Sequence, residues 1–420
     1  MLKTLAAGLV AASGLLVPAT AGAATATTCL TQTPPSCYTP RAFLTAYGIQ
    51  PLLDRGLDGR GTTVVLLELA QQGPAQPPGL TDIRQDLADF DSRFGLPPAR
   101  IKVTTALAGS GVAPWLAEGE EVEDTEVVHA VAPDATIREL LVSPADVATP
   151  AALAAVFVKA TRLAVSLGDA ISLSASFGEH FFTAAEVASI HGALELAAAR
   201  HVTFVASSGD YGAVSDAQDW ATFTPVKEVS LPASDPLVLA AGGTSLTANP
   251  DTGAYISETA WNTLPSIPGD HSSASAGGFS HLFSRPAYQT DAGTGRGVPD
   301  VSGDAGFNTG MAVAVSTGGS SYALRPATGT SAAAPFWAAL VALADQKAGH
   351  DLGFVNAAIY RIARGPLYRK AFHDVTTGNN TVGFTSPSVI VTGYQAGPGW
   401  DPVTGWGTPN AQVLVPLLAR

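Results

Sequence analysis

ATIRELLVSPADVATPAALAAVFVKATRLAVSLGDAISLSAS, from Ala135 to Ser176, is the stretch whose reading decides the fold. Ala135 to Val142 (ATIRELLV) is an apolar run of strand length. The Ala/Leu/Val-rich stretch from Pro150 to Leu167 is too long for a strand and reads as a helix. Ala170 to Ser176 (AISLSAS) is strand-like again. A strand, a helix and a second strand in succession argue for parallel neighbours joined by a crossover.

The same alternation extends to both sides. Thr62 to Leu69 (TTVVLLEL) reads as a buried strand, and Thr183 to Arg200 as a helix that Thr183 and Glu186 open with capping-box spacing. His201 to Ser207 (HVTFVAS) and Pro236 to Ala241 follow as strands. The expected class is α/β, with a mostly parallel central sheet and helices on both faces. No repeat or linker divides the chain. Asn249 to Asp304, rich in Gly, Ser and Pro, reads as long surface loops within one domain.

A chain of 420 residues with 46% apolar and 14% charged residues can bury a large core. Its net charge of −13 argues against a nucleic-acid partner, which needs a basic face. Self-repulsion among so many carboxylates weakens as pH falls, which is compatible with an acid habitat. Residues 1–24 read as an export signal: Lys3, an apolar stretch from Leu5 to Val17, and the small residues Ala21, Gly22 and Ala23. Residues 25–420 are then one domain, exported and not membrane-bound once the signal is removed. Two cysteines, Cys29 and Cys37, suit a small disulfide loop in an oxidising compartment. With no others, thiol catalysis and cysteine-ligated zinc are excluded.

Four motifs carry candidate chemistry. Gly329-Thr330-Ser331-Ala332 runs into Ala333-Ala334-Pro335 and a helix, placing the Ser331 hydroxyl near the positive end of a helix dipole, with Pro335 expected in the first turn. Read plainly, it is a serine N-cap. A second Gly-Thr-Ser, Gly243 to Ser245, has no helix behind it and reads as a turn. No histidine stands in a His-Gly-Thr-His-like helix start. Glu120 and Asp124, four apart, project from one face of a helix and can share a proton. The plain reading is a solvated acidic helix start. Asp210, in Ser208-Gly209-Asp210, follows a strand, where open α/β sheets place ligands and where turns are also common. Asp374-Val375 and Gly397-Pro398-Gly399-Trp400-Asp401 combine two carboxylates with glycine-rich turns, a set suited to an oxygen-seeking cation such as calcium.

In this order the motifs resemble the sedolisin family of serine-carboxyl peptidases, relatives of the subtilisins that use glutamate where those use histidine. The likeness runs from about Cys37 to the C-terminus. It includes Tyr38-Thr39-Pro40, Glu126-Val127-Val128, Leu231-Pro232-Ala233-Ser234-Asp235-Pro236, Gly277-Gly278-Phe279-Ser280 and Gly297-Val298-Pro299-Asp300. The resemblance implies a subtilisin-like fold with a C-terminal calcium-binding loop. It implies Ser331 as nucleophile, Glu120 as base and then acid, Asp124 orienting it, and Asp210 in the oxyanion hole. It further implies Ca2+ held by Asp374 and Asp401 with the carbonyls of Val375, Gly397 and Gly399. The expectation is a secreted, monomeric peptidase acting in acid on polypeptide substrates.

Three features depart from the pattern. Glu123 stands where a leucine is usual, and it either alters how the pair titrates or points to solvent. Phe177 replaces a common tryptophan at one wall of the cleft. The export signal runs almost directly into the mature-domain start, without a large prosegment. Two other readings stay open: a conventional subtilisin-like protease using His129, and a non-catalytic calcium-binding scaffold of the same fold.

Overall fold

Side chains alternate across strand β1 (Thr63–Leu69) and divide the interior in two. Val64 and Leu66 join one apolar cluster and Val65 and Leu67 the other. A strand buried on both faces is the signature of a covered parallel sheet. The computed structural model describes residues 29–420 except 34, 72–80, 118, 216–222, 265–271, 291–292, 319–320 and 386–387. The signal expected over residues 1–24 lies outside the described residues.

The other strands of the sheet are β2 (Arg100–Leu107), β3 (Thr136–Val142), β4 (Ala170–Leu173), β5 (Thr203–Ser207), β6 (Leu239–Ala248), β7 (Tyr255–Ala260) and β8 (Val301–Asp304). Their order is β7-β6-β5-β4-β1-β3-β2, with β8 also pairing β6. Every pairing is parallel except β6 with β7. Five helices matter here: α1 (Ile83–Phe94), α2 (Gly119–Val131), α3 (Pro150–Ala164), α4 (Ala184–Ala199) and α5 (Gly329–Ala348). Helices α3 and α4 cover the Val65 face through Leu153, Phe157, Ile190 and Leu194. Helices α2 and α5 cover the opposite face through Val122, Val127, Trp337 and Leu340. The sheet with helices on both faces is the architecture read from the sequence.

Local chemistry explains the boundaries. Thr149 accepts from the Ala152 N–H ahead of Pro150, and Thr183 with Glu186 forms the expected capping box. Helix α5 is apolar nearly all round and buried from Gly329 to Asp345 apart from Ser331, as a central helix must be. Cys29 and Cys37 are disulfide-bonded across a Cα–Cα distance of 5.5 Å.

Two expectations are corrected. Gly243 to Ser245 lies inside β6, where Thr244 bonds Glu258 at 2.8 Å. Asn249 to Asp304 is not surface loop throughout: it supplies β7 and β8 and buries Trp261, Arg296 and Asp300. The small residues serve close packing. A Cβ on Gly242 would lie 2.6 Å from the Pro299 ring, so the glycine leaves the room that this ring and the Ser302 and Ser275 hydroxyls occupy.

Candidate active site

Helix α2 carries acidic residues yet is buried. Glu121, Glu123, Asp124 and Glu126 are all in the interior, and Asp124 and Glu126 are 0% exposed. This overturns the reading of a solvated acidic helix start. An ionised carboxylate is costly in such a place, and burial raises Glu123, Asp124 and Glu126 well above the ordinary range. Burial pushes Asp124 well above the usual carboxylate range, and Glu120 adds like-charge repulsion. Glu120, half-buried one turn earlier, therefore stands beside Asp124 as its spacing predicted.

A further carboxyl completes this group. Glu68, near the end of β1, lies within hydrogen-bonding reach of Asp124 and is also pushed well up by burial and by Asp124. The sequence analysis did not single it out. Its signal was a lone carboxylate in the otherwise apolar run TTVVLLEL, on the same side of the strand as Val64 and Leu66. That side faces α2.

The N-terminus of α5 gathers the remaining groups. Thr328 is the N-cap, and Ser331 is the third residue of the helix, so it is not an N-cap. Gly329 has φ of 74°, and a Cβ there would fall 2.6 Å from Asp210 Oδ2, so only glycine fits. This lets Asp210 reach the first turn. Thr330 donates to Asp210 Oδ1 from both its N–H at 2.8 Å and its Oγ1 at 2.7 Å. Burial raises the Asp210 carboxyl, and the two Thr330 donors pull the other way. Pro335 lies within the second turn of α5, not the first.

Ser174, just after β4, connects the acidic helix to this turn. Its buried Oγ lies 2.5 Å from Asp124 Oδ2 and 3.1 Å from the carbonyl oxygen of Ser331. The structure thus brings Ser331, Glu120, Asp124 and Asp210 together around one helix end. Glu123 belongs to the same place. It is buried, not turned to solvent, its Oε1 accepts from the Thr328 N–H at 2.9 Å, and it faces Asp124, Glu120 and Asp210.

His129 points elsewhere. Its Nε2 contacts Asp91 of α1 at 2.8 Å and the Pro97 carbonyl at 3.0 Å, and its ring is fully buried. It is committed there and cannot serve Ser331 as the alternative reading required. Phe177 is buried against Leu153, Phe157, Phe182 and Leu231, so it belongs to the apolar core beside the site.

The C-terminal loop residues also converge. Gly399 N–H bonds Asp374 Oδ1 at 3.0 Å, Gly397 N–H bonds Asp401 Oδ2 at 3.1 Å, and Thr404 Oγ1 spans Asp401 Oδ2 and the Val375 carbonyl. These bonds run from glycine N–H groups, whereas the sequence reading used the glycine carbonyls. Among the described residues, no group of three or more His, Cys, Asp or Glu side chains is placed to hold a metal. The donor set here is two carboxylates and backbone oxygens, hard ligands that fit calcium by chemistry.

No protein-family model matches the chain. Over 408 residues it is 33% identical to kumamolisin of Bacillus sp. (strain MN-32), covering 92% of this chain and 65% of that protein. Over 221 residues it is 37% identical to sedolisin of Pseudomonas sp. (strain 101), covering 50% of this chain and 34% of the relative. The chain thus spans less than two thirds of the length of these relatives. The solved structure of Pseudomonas sedolisin, a serine-carboxyl proteinase complexed with two molecules of pseudo-iodotyrostatin, superimposes with a TM-score of 0.73 at 28% identity. That match covers 90% of this chain and 96% of the other. Sequence likeness over nearly the whole chain and fold likeness at this level agree: the chain belongs to the sedolisin family of serine-carboxyl peptidases.

Proposed function

We propose that this chain is a secreted serine-carboxyl endopeptidase that hydrolyses polypeptides in acid. The observation that supports the reading is the convergence of Ser331, Glu120, Asp124 and Asp210 at the N-terminus of α5. Glu120 takes the proton of Ser331 Oγ as the oxygen attacks a peptide carbonyl. Asp210, protonated, donates to the oxyanion of the tetrahedral intermediate. Glu120 then gives its proton to the leaving amine, and water hydrolyses the acyl-enzyme by the same steps. Asp210 can donate only while it holds its proton. Its raised position widens the pH range in which it does so, and above that range an anion would face the oxyanion.

The test is hydrolysis of a denatured protein by the purified chain from about pH 2 to 8, alongside Glu120→Gln. We expect an acid optimum, near loss at neutral pH, and a drop of about 10²- to 10⁴-fold in kcat/KM for Glu120→Gln. A neutral or alkaline optimum would remove the carboxyl mechanism, and full activity of Glu120→Gln would move the base elsewhere. Export rests on residues 1–24, and no described helix is long and apolar enough to cross a membrane.

Asp374 and Asp401, with the carbonyls of Val375, Gly397 and Gly399, would hold Ca2+. The buried Asp401 and its neighbour Asp374 supply two carboxylates to one loop, and bound calcium would supply the positive charge that balances them. Its role would be structural. Chelation should lower Tm by several degrees, reversed by adding calcium, while Asp401→Asn should make Tm insensitive to chelator. An unchanged Tm on chelation of the calcium-loaded protein would remove the calcium assignment.

A further inference from the structure

We propose that Ser174 is a positioning residue that fixes the proton of the carboxyl pair on Asp124 and so leaves Glu120 as the base. This rests on the reading of Glu120 given above and goes beyond it, because spacing alone does not say which member of the pair carries the proton.

The argument begins at Pro335. In a helix the N–H of each residue bonds the carbonyl four residues back, and proline has no N–H. The carbonyl that Pro335 leaves without its helical donor is that of Ser331. Ser174 Oγ stands 3.1 Å from this oxygen. A carbonyl can only accept, so the hydroxyl proton of Ser174 goes to it. A hydroxyl has one proton and two lone pairs. Ser174 Oγ is also placed to donate to Asp124 Oδ2 at 2.5 Å, but one proton cannot serve both contacts; with it on the carbonyl, the contact with Asp124 takes its proton from Asp124.

The surroundings of Asp124 favour this assignment. It is 0% exposed, with Glu120 and Glu123 on its own helix and Glu68 from β1. Beyond Glu123 stands Asp210, and beyond Glu68 stand Glu121 and Glu139. All of these are acids, so the charge is least costly on the most exposed member. Glu120 is half-buried, whereas Asp124 is wholly buried. The chain from Asp124 through Ser174 to the Ser331 carbonyl also ties the acidic helix to the backbone of the nucleophile.

Carbon-13 NMR of aspartate carboxyls reads this directly, whatever the activity. Ser331→Ala protein is used because it keeps the 331 carbonyl and does not digest itself, and Asp124→Asn in that background assigns the resonance. With Ser174 present, Asp124 is expected to stay protonated well above the ordinary aspartate range. Ser174→Ala removes the acceptor of its proton and should lower the Asp124 midpoint by about one unit. Ser174→Thr, which keeps the hydroxyl, should restore it, and Ser174→Cys serves as a second variant if alanine or threonine disturbs folding. The direction decides. A midpoint that rises on loss of Ser174 would mean that Ser174 donates to an Asp124 carboxylate, and an unmoved midpoint would mean that it has no part. Either result overturns the proposal.

In the otherwise native enzyme, Ser174→Ala should lower kcat about tenfold and move the acid limb of kcat/KM upward, as the proton passes to Glu120. A purely structural role would lower kcat with the limb unmoved, and that result also overturns the proposal. Failure of the peptidase reading looks different: wild-type chain then hydrolyses nothing at any pH, while the NMR titration still reads the proton on Asp124.

Discussion

Ser331→Ala is expected to lower kcat/KM on a denatured protein by more than about 10⁴-fold at the acid optimum, with the fold intact. In the proposed mechanism the serine contributes the bond-forming oxygen, so no neighbour can replace it. Its backbone contacts do not depend on the hydroxyl: the carbonyl meets Ser174, and the turn before it is held by Thr330 on Asp210 and Thr328 on Glu123. Tm should therefore change by no more than about 2 °C. Asp210→Asn makes the instructive contrast. An asparagine Oδ1 can still accept from Thr330, and its amide can still donate to the oxyanion without titrating. Part of the activity should survive, with the loss toward neutral pH weakened. Kinetics of the two purified variants across pH check both points. Activity of Ser331→Ala above about one percent of wild type would remove Ser331 as nucleophile.

The second large effect is on stability and is independent of catalysis. Burial raises Glu139 from 4.5 to about 7, Asp304 and Asp345 from 3.8 to about 7, and Asp86 from 3.8 to about 6. Glu126 and the site carboxyls Glu68, Glu123 and Asp124 are held well above the ordinary range for the same reason. A group raised in the folded state binds its proton more tightly there than in the unfolded chain. Its contribution is complete below the unfolded value of about 4 and is lost as pH rises through the folded value. For Glu139, at about 1.4 kcal/mol per unit, that is roughly 3 kcal/mol. Several such groups titrating together should lower Tm by on the order of 5–10 °C between about pH 4 and pH 7.5. Calorimetry at fixed ionic strength and saturating calcium reads this. A Tm that rises toward neutral pH would mean that these carboxyls are ionised and paired in the folded chain.

What the sequence determined by itself is the frame. The alternation of strand and helix from Thr62 to Ala241, the capping box at Thr183 and the paired cysteines are local signals, and each is decided by chemistry within a few residues of itself. The spacing of Glu120 and Asp124 is equally local, since four residues on a helix fix one face. Tertiary structure alone decided which of these residues are buried, and burial is a property of neighbours distant in sequence. Helix α2 looks like a solvated acidic helix until α5 and the sheet close over it. Glu68, an ordinary strand residue on paper, becomes part of the site because β1 runs beneath α2. Glu123 turns inward because the Thr328 N–H, 205 residues away, meets it. Gly243 to Ser245 belongs to a strand because β7 and β8 arrive to pair it. His129, the chemically tempting base, is directed to Asp91 by the packing of α1. A carboxyl's protonation depends on the dielectric and charges around it, and those exist only once the chain has folded.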